Sequence, residues 1–158
     1  MGALPLKSWR IFAGCVAMHR IGPSALVYID SNVFIYFVEG EERLFAKANA
    51  FFAYVDLIGA RLATSEMTLA ECLYKPAQEQ NTTLVETYAN LIEQNDEILK
   101  IELTGHLAKQ AGLIGGSIGL KLMDAVHYVS ALQSGCDFLV TADTQFRSGP
   151  ALTVVGLT

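Results

Sequence analysis

The sequence predicts an α/β fold: a three-layer α/β/α sandwich with a central, mostly parallel sheet. Short β-branched or aromatic runs recur along the 158 residues, and segments with apolar residues at helical spacing separate them. Strands that alternate with helices pair in parallel and bury both faces of the sheet under the connecting helices. No repeat, heptad or low-complexity segment interrupts the alternation, so one domain is expected.

The elements follow in order. "ALVYID" (25–30) reads as a buried strand, and "SNVFIYFVEG" follows it at once. "EERLFAKANAFFAYVDLIGA" places Leu44, Ala48, Phe51, Phe52 and Val55 at helical spacing before Gly59 closes it. "RLATS" gives a second strand, and the helix in "EMTLAECLYK" is expected to stop before Pro76. "TTLVETYANLIEQN" is an amphipathic helix, "EILKIEL" a third strand and "TGHLAKQAGLIGG" a short helix. "LKLMDAVHYVSAL" (120–132) is a further helix that Gly135 terminates. "DFLVT" and, after Pro150, "ALTVVGL" supply the last strands. The pattern starts abruptly after Gly22-Pro23-Ser24. Residues 1–24 are therefore expected to be a disordered or loosely docked extension, or an upstream mis-called start with Met18 as a later one, ahead of a domain over 25–158.

Hydrophobic residues make up 52% of the chain and charged ones 17%, which suggests a permanent partner or a homodimer. The formal net charge of −5 argues against tight nonspecific nucleic-acid binding driven by phosphate neutralisation, yet leaves room for a nucleic-acid enzyme whose carboxylates gather around cations. Cys15, Cys72 and Cys136 lack any metal-ligand or disulfide spacing and read as small apolar residues of a reducing compartment, so a cytoplasmic location is expected. No run is long enough for a membrane span or signal peptide.

Four acids fall at or beyond the carboxyl ends of the expected strands, where open α/β sheets place their chemistry. Asp30 ends the first strand, Glu71 lies in the helix after the second, Asp124 in the helix before the fourth, and Asp143 just past the fourth. Three of them have simple structural explanations: Asp30 as a helix cap, Thr68 with Glu71 as a capping box, and Asp143 as the cap of a turn that Thr141 also supports. Asp124 is harder to dismiss, because a carboxylate among Leu120, Leu122, Met123, Ala125 and Val126 needs a partner, either His127 on the same stripe or a cation. Four carboxylates at one edge repel one another unless cations sit between them, and oxygen ligands select Mg2+ or Mn2+. One or two such ions suit attack of water on a phosphodiester.

"VYIDSNVFIY", "TSEMTLAEC" and "LMDAVHYVSALQSGCDFLVTADTQF" together resemble the PIN-domain family, especially the VapC-type toxins of toxin–antitoxin pairs, over residues 26 to 156. The resemblance implies a PIN-like fold and a Mg2+- or Mn2+-dependent endoribonuclease. It implies metal-binding and catalytic acids at Asp30, Glu71, Asp124 and Asp143, with Asn32, Thr141 and His127 in support. It further implies an RNA substrate, a cognate antitoxin that fills the active-site groove, and a dimer. Ala142 departs from the family's frequent polar residue before the last acid. Lys75, Lys121 and Arg147 are the candidate RNA contacts, with Arg43 weaker. The alternative is a non-catalytic PIN-like module that serves as a protein-interaction or RNA-binding platform. Phosphatase, receiver, serine-hydrolase and P-loop readings fail on absent motifs: no D-x-D, no late-strand lysine, no G-x-S-x-G and no G-x-x-x-x-G-K-[ST].

Overall fold

The computed structural model describes residues 18–146, 149 and 151–157. Five strands, β1 (Leu26–Ile29), β2 (Arg61–Ser65), β3 (Ile98–Ile101), β4 (Phe138–Thr141) and β5 (Thr153–Gly156), form one sheet in the order β3-β2-β1-β4-β5. Every neighbouring pair is parallel. All four residues of β1 are buried, as the central strand of a sheet covered on both faces must be.

Side-chain alternation along the strands divides the core into two layers. Val27, Ile29 and Val140 face one way, toward α1 (Ser31–Glu39), α2 (Glu42–Ile58), α3 (Glu66–Gln78) and α4 (Thr82–Tyr88). Leu26, Tyr28, Ala63 and Leu139 face the other way, toward α5 (Gly105–Ile118) and α6 (Leu122–Gln133). The expected three-layer α/β/α sandwich is therefore present.

Three details differ from the sequence reading. Helix α3 does not stop at Pro76 but runs to Gln78; the proline sits buried in its last turn, where it forgoes one i→i−4 hydrogen bond and only two residues of helix follow it. The single helix expected over 82–95 changes after Tyr88 into a wider π-helical turn, Ala89–Glu93, with the Tyr88 hydroxyl donating to Glu39 Oε1 at 2.5 Å. At the N-terminal side, Met18–Arg20 makes a 3-10 turn, and Met18 and Ile21 join the core. Tyr54 donates to the Ile21 carbonyl at 3.0 Å. Packing thus begins ahead of the expected boundary at Ala25, while residues 1–17 of the expected extension lie outside the described residues.

Helices α5 and α6 meet closely because Gly115 has no side chain: a Cβ there would collide with Ala125 Cβ. Ala125 follows Asp124, so this contact sets the depth of the α6 amino end. Gly115→Ala should lower stability by about 1–3 kcal/mol, the usual cost of overpacking. Thermal melting checks this; an unchanged midpoint would show that the helices can separate without loss.

Candidate active site

In a sheet ordered 3-2-1-4-5, the chain leaves β1 in opposite directions on its two sides, which opens a crevice at the carboxyl ends of β1 and β4. Asp30 lies at that point. Its backbone N–H continues the ladder to the Val140 carbonyl at 3.0 Å, and its extended conformation (φ −74°, ψ 154°) makes it the N-cap of α1. Oδ1 accepts from the Ser31 N–H at 2.7 Å, Oδ2 accepts from Thr141 Oγ1 at 2.6 Å, and Asn32 Nδ2 stands 3.5 Å from Oδ2. The capping role read from the sequence holds. It also clamps a carboxylate that is only 3% exposed.

Glu71 is not in a capping box. Helix α3 already starts at Glu66, and buried Thr68 pairs with Thr64 Oγ1 at 2.8 Å. The Glu71 carboxylate turns to His127 instead: Nε2 lies 2.7 Å from Glu71 Oε2 and 3.4 Å from Asp30 Oδ1. The other ring nitrogen, Nδ1, shares a 2.8 Å hydrogen bond with the Tyr28 hydroxyl. Asp30, Glu71 and His127 thus bring three donor atoms within 4.8 Å of one another.

Asp124 sits half-buried in the first turn of α6 and makes no side-chain hydrogen bond or ion pair among the described residues. The Asp124–His127 pair offered by helical spacing is therefore not the one formed. Burial and the nearby charges of Asp30 and Asp143 push the Asp124 carboxyl above its usual range. Asp143 is half-buried and caps its turn, its Oδ1 accepting from Gln145 N–H at 2.8 Å, while its own N–H donates to Thr141 Oγ1 at 3.0 Å. Asp124 and Asp143 are electrostatic neighbours of the Asp30 group but stand outside its three-donor cluster.

A protein-family model for the PIN domain matches residues 27–151. The chain belongs to the PIN domain family. A comparison with curated proteins gives no match. Solved structures share the PIN fold. VapC20 of Mycobacterium tuberculosis, described as a sarcin–ricin-loop-cleaving toxin, superposes with a TM-score of 0.67 at 15% identity, over 82% of this chain and 98% of that one. A toxin–antitoxin complex from Klebsiella pneumoniae gives 0.61 at 20% identity, over 85% and 98%. VapBC2 of Rickettsia felis, bound to a DNA fragment from its promoter, gives 0.59 at 17%, over 83% and 98%.

The donor chemistry of this PIN site fits a hard divalent cation. Two carboxylates converge within ligand distance, and the burial and like charge that together raise Asp124 are what a cation would offset. The expected basic contacts contribute less. Lys75 is exposed and pairs loosely with Glu79 at 3.8 Å, Lys121 is the exposed N-cap residue of α6, Arg43 is exposed, and Arg147 lies outside the described residues. Lys47 of α2, which sequence reasoning missed, lines a cavity of about 430 Å³ with Asn32, Tyr36, Asp143 and Thr144. Helical spacing could have found it, because Lys47 lies one turn after Leu44, which lines the same cavity, and next to the core position Ala48. Tyr28 was also missed; its signal was the period of two that puts it on the same strand face as Asp30.

Burial pulls the His127 imidazolium down, but the Tyr28 oxygen and the carboxylates of Glu71 and Asp30 outweigh it and push the group up to about 10. Burial pushes Glu71 up, and the His127 hydrogen bond and charge more than reverse it, holding the carboxyl below its usual range. Because His127 is raised above its ordinary 6.5, its stabilisation is complete below that pH and fades as pH rises toward about 10. The metal-free protein should therefore melt at progressively lower temperature from pH 7 to pH 9 in the presence of a chelator. A flat profile over that window would mean that the imidazole is neutral in the folded state.

Proposed function

We propose that this PIN domain is a Mg2+- or Mn2+-dependent endoribonuclease of the VapC type, the toxin of a toxin–antitoxin pair. The observation that carries this reading is the convergence of Asp30, Glu71 and His127 at the carboxyl end of β1, with Asp124, raised by burial and by the charges of Asp30 and Asp143, as their electrostatic neighbour. The resemblance of the fold to toxin–antitoxin proteins supports it.

Asp30, Glu71, Asp124 and Asp143 would hold one or two cations, which supply charge neutralisation at the scissile phosphate and an acidified water. Thr141 fixes Asp30 through the 2.6 Å bond to Oδ2 and fixes the Asp143 backbone through the same hydroxyl. His127 holds Glu71 against Asp30 through Nε2, and Tyr28 holds the ring through Nδ1. Asn32 and Lys47, on the wall of the cavity beside Asp143, bind the RNA backbone next to the acids.

The antitoxin is the proposed partner, as in the structures that share the fold. A second copy is the proposed cover for exposed Leu113 and Leu122, 60% and 66% accessible on α5 and α6. No helix among the described residues is long and apolar enough to cross a membrane, and a cytoplasmic site of action fits the free, buried Cys72 and Cys136.

RNA cleavage with added Mn2+ tests the central assignment. Asp124→Asn should reduce the rate on the order of 100-fold, as loss of a charge-stabilising group does, while the fold stays intact. Full activity in that variant would remove Asp124 from the site, and no cleavage by the native protein together with no Mn2+ binding would favour the non-catalytic module. Lys47→Gln should instead weaken RNA binding uniformly across sequences and lower its salt slope by about 1, the signature of one phosphate contact. An unchanged slope would put the RNA path elsewhere.

A further inference from the structure

The two strands flanking β1 place hydroxyl residues on either side of Asp30. On β4 the register Tyr28↔Leu139, Ile29↔Val140 continues to Asp30 beside Thr141, whose hydroxyl makes the 2.6 Å bond to Oδ2. On β2 the paired register Leu26↔Arg61, Val27↔Leu62, Tyr28↔Ala63 ends two residues before Asp30, and the same count carried forward sets Ser65 opposite Asp30. Neighbouring strands lie about 4.8 Å apart, and residues two apart share a face. Ala63 packs with Tyr28 in the α5–α6 layer, so Ser65 shares the face on which Asp30 meets His127.

The chemistry of Ser65 is unlike that of Thr141. Ser65 is 1% exposed, and its Oγ hydrogen-bonds nothing among the described residues. It is also the N-cap residue of α3, the helix that carries Glu71, yet its side chain makes no capping bond. A serine at an N-cap ordinarily accepts from the N2 or N3 N–H, and a buried hydroxyl without a partner costs about 1–3 kcal/mol. The side chain therefore carries a cost in the metal-free protein that its capping position would normally remove.

We infer that Ser65 is a further positioning residue of the acidic site, whose hydroxyl hydrogen-bonds water in the coordination shell of the cation held beside Asp30. The inference rests on the metal-site reading above and deepens it. Mg2+ and Mn2+ bound by few carboxylates keep several waters, and each bound water needs acceptors around it. Ser65 offers a buried acceptor on the α6 side of Asp30, the side on which Asp124 lies at the start of its helix.

The test is Mn2+ titration by calorimetry of the full chain, native and variant, paired with thermal melting in chelator. Ser65→Ala should bind Mn2+ roughly 10-fold more weakly, the typical effect of losing an outer-shell partner. The same variant should melt no lower than the native protein without metal, because the hydroxyl it removes had no partner to lose. Ser65→Thr, which restores a hydroxyl and suits the extended backbone (φ −104°, ψ 163°), should recover most of the affinity. Equal Mn2+ affinity in the native protein and Ser65→Ala would overturn the inference while leaving the metal site standing. A lower metal-free melting point with unchanged affinity would likewise overturn it, making Ser65 an ordinary helix cap. No Mn2+ binding by the native protein would overturn both the inference and the site on which it rests.

Discussion

The site depends on one interaction: a buried imidazole set between two carboxylates. Asp30 and Glu71 come from different elements, β1 and α3, and their negative charges would drive those elements apart in a low-dielectric setting. His127 holds them together, with Nε2 at 2.7 Å and 3.4 Å from the two acids and Nδ1 tied to Tyr28 in the centre of the sheet. Through α6 the same residue fixes the depth at which Asp124 approaches. In the absence of a cation, the imidazolium is the positive charge that makes this arrangement affordable.

That internal clamp also orders the chemistry. His127 answers part of the negative charge of Asp30 and Glu71 through direct contact, whereas Asp124 and Asp143 make no ion pair among the described residues. The nearby charges of Lys121 and His127 do not cancel the burial and like charge that raise Asp124. The uncompensated charge therefore lies on the α6 and β4 side of Asp30, which is where a divalent cation gains most. Thr141 defines one border of that region, and the hydroxyl of Ser65 stands across Asp30 from it.

Much of the sheet was legible because parallel strands are buried on both faces, so their apolar runs stand out whatever packs on them. The acids were legible because strand ends in such a sheet converge by topology. Their partners were not. Helical spacing offered Asp124 to His127, but His127 is one turn deeper along α6, level with Tyr28, and meets the acids of β1 and α3 instead. That pairing spans 56 residues for Glu71 and 99 for Tyr28, so no local pattern encodes it. Glu71 with Thr68 matched a capping box, yet the helix starts earlier, at Glu66, and the Thr68 hydroxyl pairs with Thr64 inside the fold. Pro76 as a stop signal failed because its ring is buried in the last turn of α3, which offsets the one lost hydrogen bond.

The most direct test of the account is Mn2+ affinity as a function of pH. A cation entering beside Asp30 must compete with the proton held by His127, so binding releases protons and tightens as pH rises. Calorimetric titrations at pH 6, 7 and 8, in buffers of different ionisation enthalpy, should show a falling dissociation constant with measurable proton release. Binding of equal strength at all three pH values, or no binding at millimolar Mn2+, would contradict the assignment of these acids as a cation site clamped by His127.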